Sequence, residues 1–284
     1  MTSPEATTPE AALDATFPEG PPATPSPSPV DREFTAAELE QAGLLHTDRN
    51  VVISRFAVFV PVDELGTARP VVIRSGAVIG PFAVVHGGTT VGEQVRVEEH
   101  TVLGKPELGY AIGQTHAGSG GGTVVGAGVV IRSGAVVYAD VQVGLDALIG
   151  HHTLLRTGVR IGADTQLGHN LTVERTALIG RDVRCSPGSH ITSSTVLADR
   201  VFLGAGVRTI NDKTLTWRDP DRRPVLAPPR FDTGAKVGTG CVVLGGVTVG
   251  EHALVGAGSL ITYDIPPGTI AYGSPARVRG EVAR

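Results

Sequence analysis

Apolar residues recur along this chain on a period of six. From Val125 to Thr209 every sixth residue is Val, Ile or Leu at thirteen of fifteen positions, the exceptions being Cys185 and Thr209. A second series, four residues after each beat, is mostly small or β-branched: Ala135, Val141, Ala147, Thr153, Thr165, Ala177, Val183, Ser189, Thr195. The residue directly after the beat is often glycine, as at Gly126, Gly144, Gly150, Gly162, Gly168, Gly180 and Gly204. This period is neither the 3.6 of a helix nor the simple alternation of a long strand. It predicts one short strand and one corner per hexad, with the beat and the residue four later pointing inward and glycine relieving the turn. One hexad cannot bury its apolar face alone, so hexads stack as coils around a shared core, a parallel β-helix.

The beat also marks the boundaries. A first block runs Ile73, Ile79, Val85, Val91, Val97, Leu103, the long block follows from Val125, and a last block runs Val237, Val243, Val249, Val255, Ile261. The β-helix is therefore expected over 51–265, interrupted by two loop excursions at 105–122 and 213–236. Within the lead-in 33–50, Thr35-Ala-Ala-Glu38 is a capping-box pattern that opens a short helix ending near Gly43. Residues 1–32 are Pro-rich and aperiodic and are expected to be disordered. Asp264-Ile-Pro-Pro-Gly268 ends the ladder, because proline cannot donate to it, and 266–284 forms a C-terminal cap.

Composition narrows the picture further. Of the 284 residues 41% are hydrophobic but only 4% aromatic, which suits a narrow aliphatic core. A formal charge of −4 implies no nucleic-acid partner. No apolar run approaches a membrane span, and the first basic residue is Arg32, so a cytoplasmic location is expected. Cys185 falls on the beat and Cys241 four after Val237, positions that predict buried reduced thiols rather than a disulfide or metal site.

Three segments carry a family resemblance. The tail Ile265-Pro-Pro-Gly-Thr-Ile-Ala-Tyr-Gly-Ser-Pro-Ala-Arg277 looks like the C-terminal signature of hexapeptide acyltransferases. Ser189-His-Ile-Thr192, followed by Thr209-Ile-Asn-Asp212 and an excursion, resembles the N-acetyltransferases of nucleotide-linked (dTDP- and UDP-3-amino) sugars, as does Leu103-Gly-Lys-Pro106. A fainter echo, Leu167-Gly-His-Asn170, resembles the base-bearing segment of UDP-glucosamine acyltransferases, with Gly where that group has Ala. The resemblance implies an all-β, left-handed β-helix with three hexads per coil, so that residues eighteen apart stack. It also implies a homotrimer with sites between subunits, acetyl-CoA or another acyl-CoA as co-substrate without a metal, and a small-molecule acceptor.

Acyl transfer to an amine needs a neutral nucleophile, a donor to the oxyanion, and positioning. A histidine suits the base role. The candidates are His190, which precedes a beat residue and so points outward, and His169, with substrate-assisted attack as a third possibility. His169, His190 and Asn211 are spaced by twenty-one, a diagonal row if the coil is regular. Asn211 is expected to orient the amine, with Asp212 fixing it, unless Asn211 is simply a left-handed corner residue. Trp217 and Lys105 are expected at the substrate, and Gly256, Ala257 and Arg277 at the co-substrate, Arg277 meeting a phosphate or plain solvent. Arg218, Arg222, Arg223 and Arg230 are assigned to the second loop and His116 to the first. His46, His86, His100 and His252 are read as surface residues, and His151 and His169 as stacked at one corner.

Three other functions fit parts of this reading. The same chemistry can act on a non-sugar amine or a hydroxyl in secondary metabolism. A zinc lyase sharing the fold needs three converging histidines, two of them close in sequence, and the only near pair is His151 and His152. A non-catalytic trimeric scaffold would bind no CoA and need neither His190 nor Asn211.

Overall fold

The computed structural model describes residues 35–61, 67–107, 122–214, 221, 223 and 225–283. The segment 1–32 lies outside them. Among the described residues three sheets of ten, twelve and ten strands are formed, parallel except for the last pair of the twelve, and the chain visits them in rotation. We call them faces 1, 2 and 3, starting at Leu45–Thr47, Val52–Ile53 and Val58–Val60. Through the long block the register is eighteen residues per coil: Val143 pairs with Ile161, Ile161 with Ile179, Ile179 with Leu197. Paired strands lie about 4.8 Å apart. This is the all-β, left-handed parallel β-helix expected.

The two inward series fill the interior. Ile131, Val137, Ile149, Leu155, Leu167, Val173 and Ile191 are fully buried, as are Ala135, Val141, Val159 and Ala177. Each buried Val, Leu or Ile contributes about 1.5–3 kcal/mol. Two threonines in the second series are satisfied from the next coil. Thr153 Oγ1 donates to the Gly168 carbonyl at 2.8 Å and accepts from the Leu171 N–H at 3.2 Å, and Thr165 repeats the pattern with Gly180 and Val183. Cys185 and Cys241 are buried free thiols, with burial pushing Cys185 up to about 12. The last block begins one hexad early, at Phe231, which is fully buried. Its aromatic ring hid the beat inside the segment assigned to the second excursion.

The corners correct the expected role of glycine. Left-handed backbone occurs three residues after the beat, at Asp140, Asp146, His152, Asp164, Asn170, Thr176 and Asp182 among others, with φ of 52–58° or 60°. The glycines directly after the beat, Gly104 excepted, are absent from the positive-φ set. They are required instead by close approach: a Cβ on Gly162 would lie 2.5 Å from Gly180 backbone, and one on Gly144 2.6 Å from the Ala163 nitrogen.

The excursions share one corner, from face 3 to face 1. One leaves after Val102–Lys105 and returns at Thr123–Val125; the other leaves after Arg208–Thr209 and returns at Arg230–Phe231. Val91 pairs with Val125, and Leu203 with Val237, a step of 34 in place of eighteen, so each adds sixteen residues. A shorter addition sits at the same corner, since Leu45 pairs with Val71. That first pairing places Leu45–Thr47 within the coil, inside the segment 33–50.

Both ends are finished by local chemistry. Thr35 and Glu38 form the capping box of helix Ala36–Gln41, whose Leu39 is buried. At the other end Thr269–Gly273 pairs in parallel with Leu254–Val255, then turns back as Ala276–Glu281.

Candidate active site

The outward residue before each beat forms a column along face 3. In pairing order it reads Val84, Val102, Val136, Leu154, Thr172, His190, Arg208, Val242, Leu260. Three polar rungs thus interrupt an apolar strip, with His190 at their centre. Alternation along the short strand dictates that a residue beside a buried beat points out, and His190 is 47% exposed.

His190 adjoins a network of charges. Its Nε2 lies 3.6 Å from Glu174 Oε1, and Glu174 Oε2 accepts from Arg156 Nη1 at 2.7 Å. Arg156 also donates through Nε to Glu107 Oε1 at 2.8 Å and through Nη2 to the same oxygen. Arg175 Nε adds a bond to Glu107 at 2.9 Å, and the Thr157 N–H one at 3.2 Å. Glu107 is almost fully buried, at 4% exposure. Burial alone would raise its carboxyl, yet Thr157, Arg156 and Arg175 together hold it below the usual range. Glu174 is held low by the His190 imidazole first, and by Arg156.

His169 sits at the corner from face 2 to face 3, its ring 5.0 Å from His151, and its Nδ1 accepts the His151 backbone N–H at 3.0 Å. The stacking expected from their spacing is present, and that bond engages the Nδ1 lone pair. His169, His190 and Asn211 cross face 3 obliquely, one coil per step, each with separate partners. Asn211 is not among the residues with positive φ, so it is not a left-handed corner. Its Nδ2 donates to the Ser193 carbonyl at 3.4 Å, and its own carbonyl accepts from the Ala227 N–H at 2.6 Å. Asp212 bridges Leu226 and accepts from the Thr214 N–H and hydroxyl at 2.7 and 2.6 Å. This pair therefore closes the neck of the second excursion.

Lys105 is exposed at the end of its strand, and its charge bears on His86. His86 is not the surface residue expected: burial first, then Lys105, bring its pKa down to about 4. Arg230 lies in a face 1 strand, paired with Asp232 at 2.8 Å, rather than in the loop. Gly256 uses its N–H on Ala271 and its carbonyl on Ser259 and Cys241, while Ala257 is exposed beside it. Arg277 is exposed, with its guanidinium 5.8 Å from the Tyr263 ring. Trp217, His116, Arg218 and Arg222 lie outside the described residues. Among the described residues no group of three or more His, Cys, Asp or Glu is placed to hold a metal, and no helix is long and apolar enough to cross a membrane.

Sequence reasoning missed Glu107, Arg156, Glu174 and Arg208. A signal existed for two of them: Arg156 and Glu174 are eighteen apart and so had to stack. Glu107 lies at the root of an excursion, where spacing carries no information.

The family described as bacterial transferase hexapeptide (six repeats) matches residues 70–105. The dTDP-3-amino-3,6-dideoxy-alpha-D-galactopyranose 3-N-acetyltransferase of Aneurinibacillus thermoaerophilus is 49% identical over 51 residues, 18% of this chain and 27% of that one. The bifunctional protein GlmU of Heliobacterium modesticaldum is 32% identical over 200 residues, 70% of this chain and 37% of that one. Among solved structures, UDP-N-acetylglucosamine acyltransferase of Francisella novicida superposes with a TM-score of 0.47 at 13% identity, covering 83% of this chain and 70% of that one. This chain thus spans well under half the length of the two sequence relatives. The resemblance read from the sequence, hexapeptide repeats akin to those of acyltransferases, is borne out.

Proposed function

We propose that this chain is an acyl-CoA-dependent acyltransferase that acylates, most simply acetylates, the amine of a nucleotide-linked amino sugar. The observation that carries the reading is the three-rung polar window, in which an outward imidazole faces a carboxylate anchored to a buried charge network. The relative acting on a dTDP-3-amino sugar supports the acceptor class.

In this reading the His190 Nε2–H faces Glu174, which leaves Nδ1 to take the proton. The acceptor amine attacks the thioester carbonyl carbon, and its proton passes to His190. The tetrahedral intermediate collapses with loss of the C–S bond, and the imidazolium returns the proton to the CoA thiolate. Glu174 stabilises the imidazolium, and Arg156 with Glu107 fixes Glu174 so that no reorganisation is needed during the step. Asn211 orients the amine and Asp212 holds Asn211 at the loop neck. The co-substrate runs along the coils toward Gly256, Ala257 and Arg277; His190 and Leu260 are three rungs apart, roughly 14 Å. Trp217 and Lys105 complete the acceptor side, and His169 is the reserve base. The apolar rungs flanking the window call for cover, which a homotrimer with sites between subunits supplies. An acyl-CoA supply places the reaction in the cytoplasm.

The test is thiol release from acetyl-CoA with a dTDP-3-amino-dideoxyhexose as acceptor. His190→Ala is expected to lower kcat by about 10²–10⁴-fold, and Asn211→Ala to lower it too, with little change in melting temperature. Full activity in both variants, or no acyl-CoA binding by the wild type in calorimetry, refutes the reading.

A further inference from the structure

The window contains a second functional group that the reaction above leaves without a task. Arg208 pairs in register with His190 on the next coil, about 4.8 Å away along face 3. Its side chain points outward and is exposed. The neighbouring guanidiniums are committed: Arg156 to Glu107 and Glu174, Arg175 to Glu107. Among the described residues Arg208 has no hydrogen-bond or ion-pair partner. The two carboxylates of the network, Glu107 and Glu174, are balanced by Arg156 and Arg175, so Arg208 supplies the uncompensated positive charge beside the imidazole.

Its place in the column adds a second argument. The next outward positions are Val242 and Leu260, and those before Thr172 are Leu154 and Val136. Arg208 thus stands between His190 on one side and the apolar Val242 on the other, at the end of the polar window. Its planar fork suits the paired oxygens of a phosphate. A ligand that meets both groups must carry a nucleophile at His190 and an anion one rung away, hence only a few bonds from it.

We infer that Arg208 is the receptor for the diphosphate of the acceptor, so that the enzyme selects a sugar whose amine lies close to its anomeric phosphate. The inference rests on the proposed acyl transfer and names what that same site recognises. A free amino sugar without the phosphate, or an amine on a long linker, cannot meet both rungs.

The experiment is calorimetric titration of the full chain with dTDP, UDP, pyrophosphate and CoA, using wild type, Arg208→Gln and Arg208→Lys. The expected result is binding of the diphosphates by the wild type, weakening of about 10- to 100-fold in Arg208→Gln, partial recovery in Arg208→Lys, and unchanged CoA binding. Circular dichroism of both variants checks that the coil is intact. Unchanged diphosphate binding in Arg208→Gln overturns the inference, as does a wild type that binds none of the three. Loss of CoA binding alone would assign Arg208 to the donor's phosphates and also overturn it. Failure of the acyltransferase reading is separately visible, as a wild type that binds no CoA.

Discussion

Replacing Glu107 by glutamine tests the charge network behind His190. The carboxylate is 4% exposed and accepts from Arg156, Arg175 and the Thr157 N–H. Breaking a buried ion pair by removing one partner typically costs about 3–5 kcal/mol. Here the stranded guanidiniums keep some water, at 22% and 28% exposure, and Arg156 retains Glu174. The expected loss is therefore about 2–3 kcal/mol at neutral pH. The pH dependence follows from the depressed carboxyl. Because its folded pKa lies below the unfolded value, near the ordinary 4.5, the folded state binds fewer protons, and unfolding takes them up. The contribution is complete above that value and is lost as pH falls through the folded pKa. Urea unfolding of wild type and Glu107→Gln at pH 7, and at steps down to pH 3.5, reads both quantities. The gap should be about 2–3 kcal/mol at pH 7 and should narrow below about pH 4.5. A gap under about 0.5 kcal/mol at neutral pH, or one that stays constant into acid, would refute the reasoning.

Two further outcomes follow from the same geometry. Glu174→Gln should lower kcat roughly 5- to 10-fold with little change in KM, matching the ~1 kcal/mol of a partly exposed ion pair, and steady-state kinetics across pH checks it. Gly162→Ala should destabilise by about 1–3 kcal/mol, since its methyl would press on Gly180 backbone, whereas Gly188→Asn, at φ +73° with open space, should be near neutral; comparing their urea midpoints separates close approach from backbone freedom.

The coil was legible because burial on a narrow triangular core leaves a rigid period in the sequence. The beat identified Ile131, Leu155 and Ile191 as core, and the same spacing put His190 outside and His169 against His151. Glycine was misread because one residue type answers two demands, a left-handed corner and backbone contact between coils, and the sequence records only the residue. Phe231 was missed because its size, not its polarity, departed from the pattern. The functional network was harder to read. His190 and Glu174 are sixteen apart, an offset that means contact only once the coil is closed. Glu107 reaches Arg156 from across an excursion whose length no periodicity fixes. His86 reads as a surface group in the sequence because nothing in a hexad reveals what packs beside its outward rungs.

Among the described residues every addition to the eighteen-residue coil leaves through the seam between faces 3 and 1, while the other two seams carry none. The molecule therefore behaves as a rack with a single open edge. Peptide spliced there keeps the inward beat in register above and below, with one local shift where the first excursion leaves, and the rung chosen sets its height along the rack. A reporter peptide or a foreign binding loop grafted at that edge could be stationed at a defined distance from His190, in steps of about 4.8 Å, without redesigning a single core position.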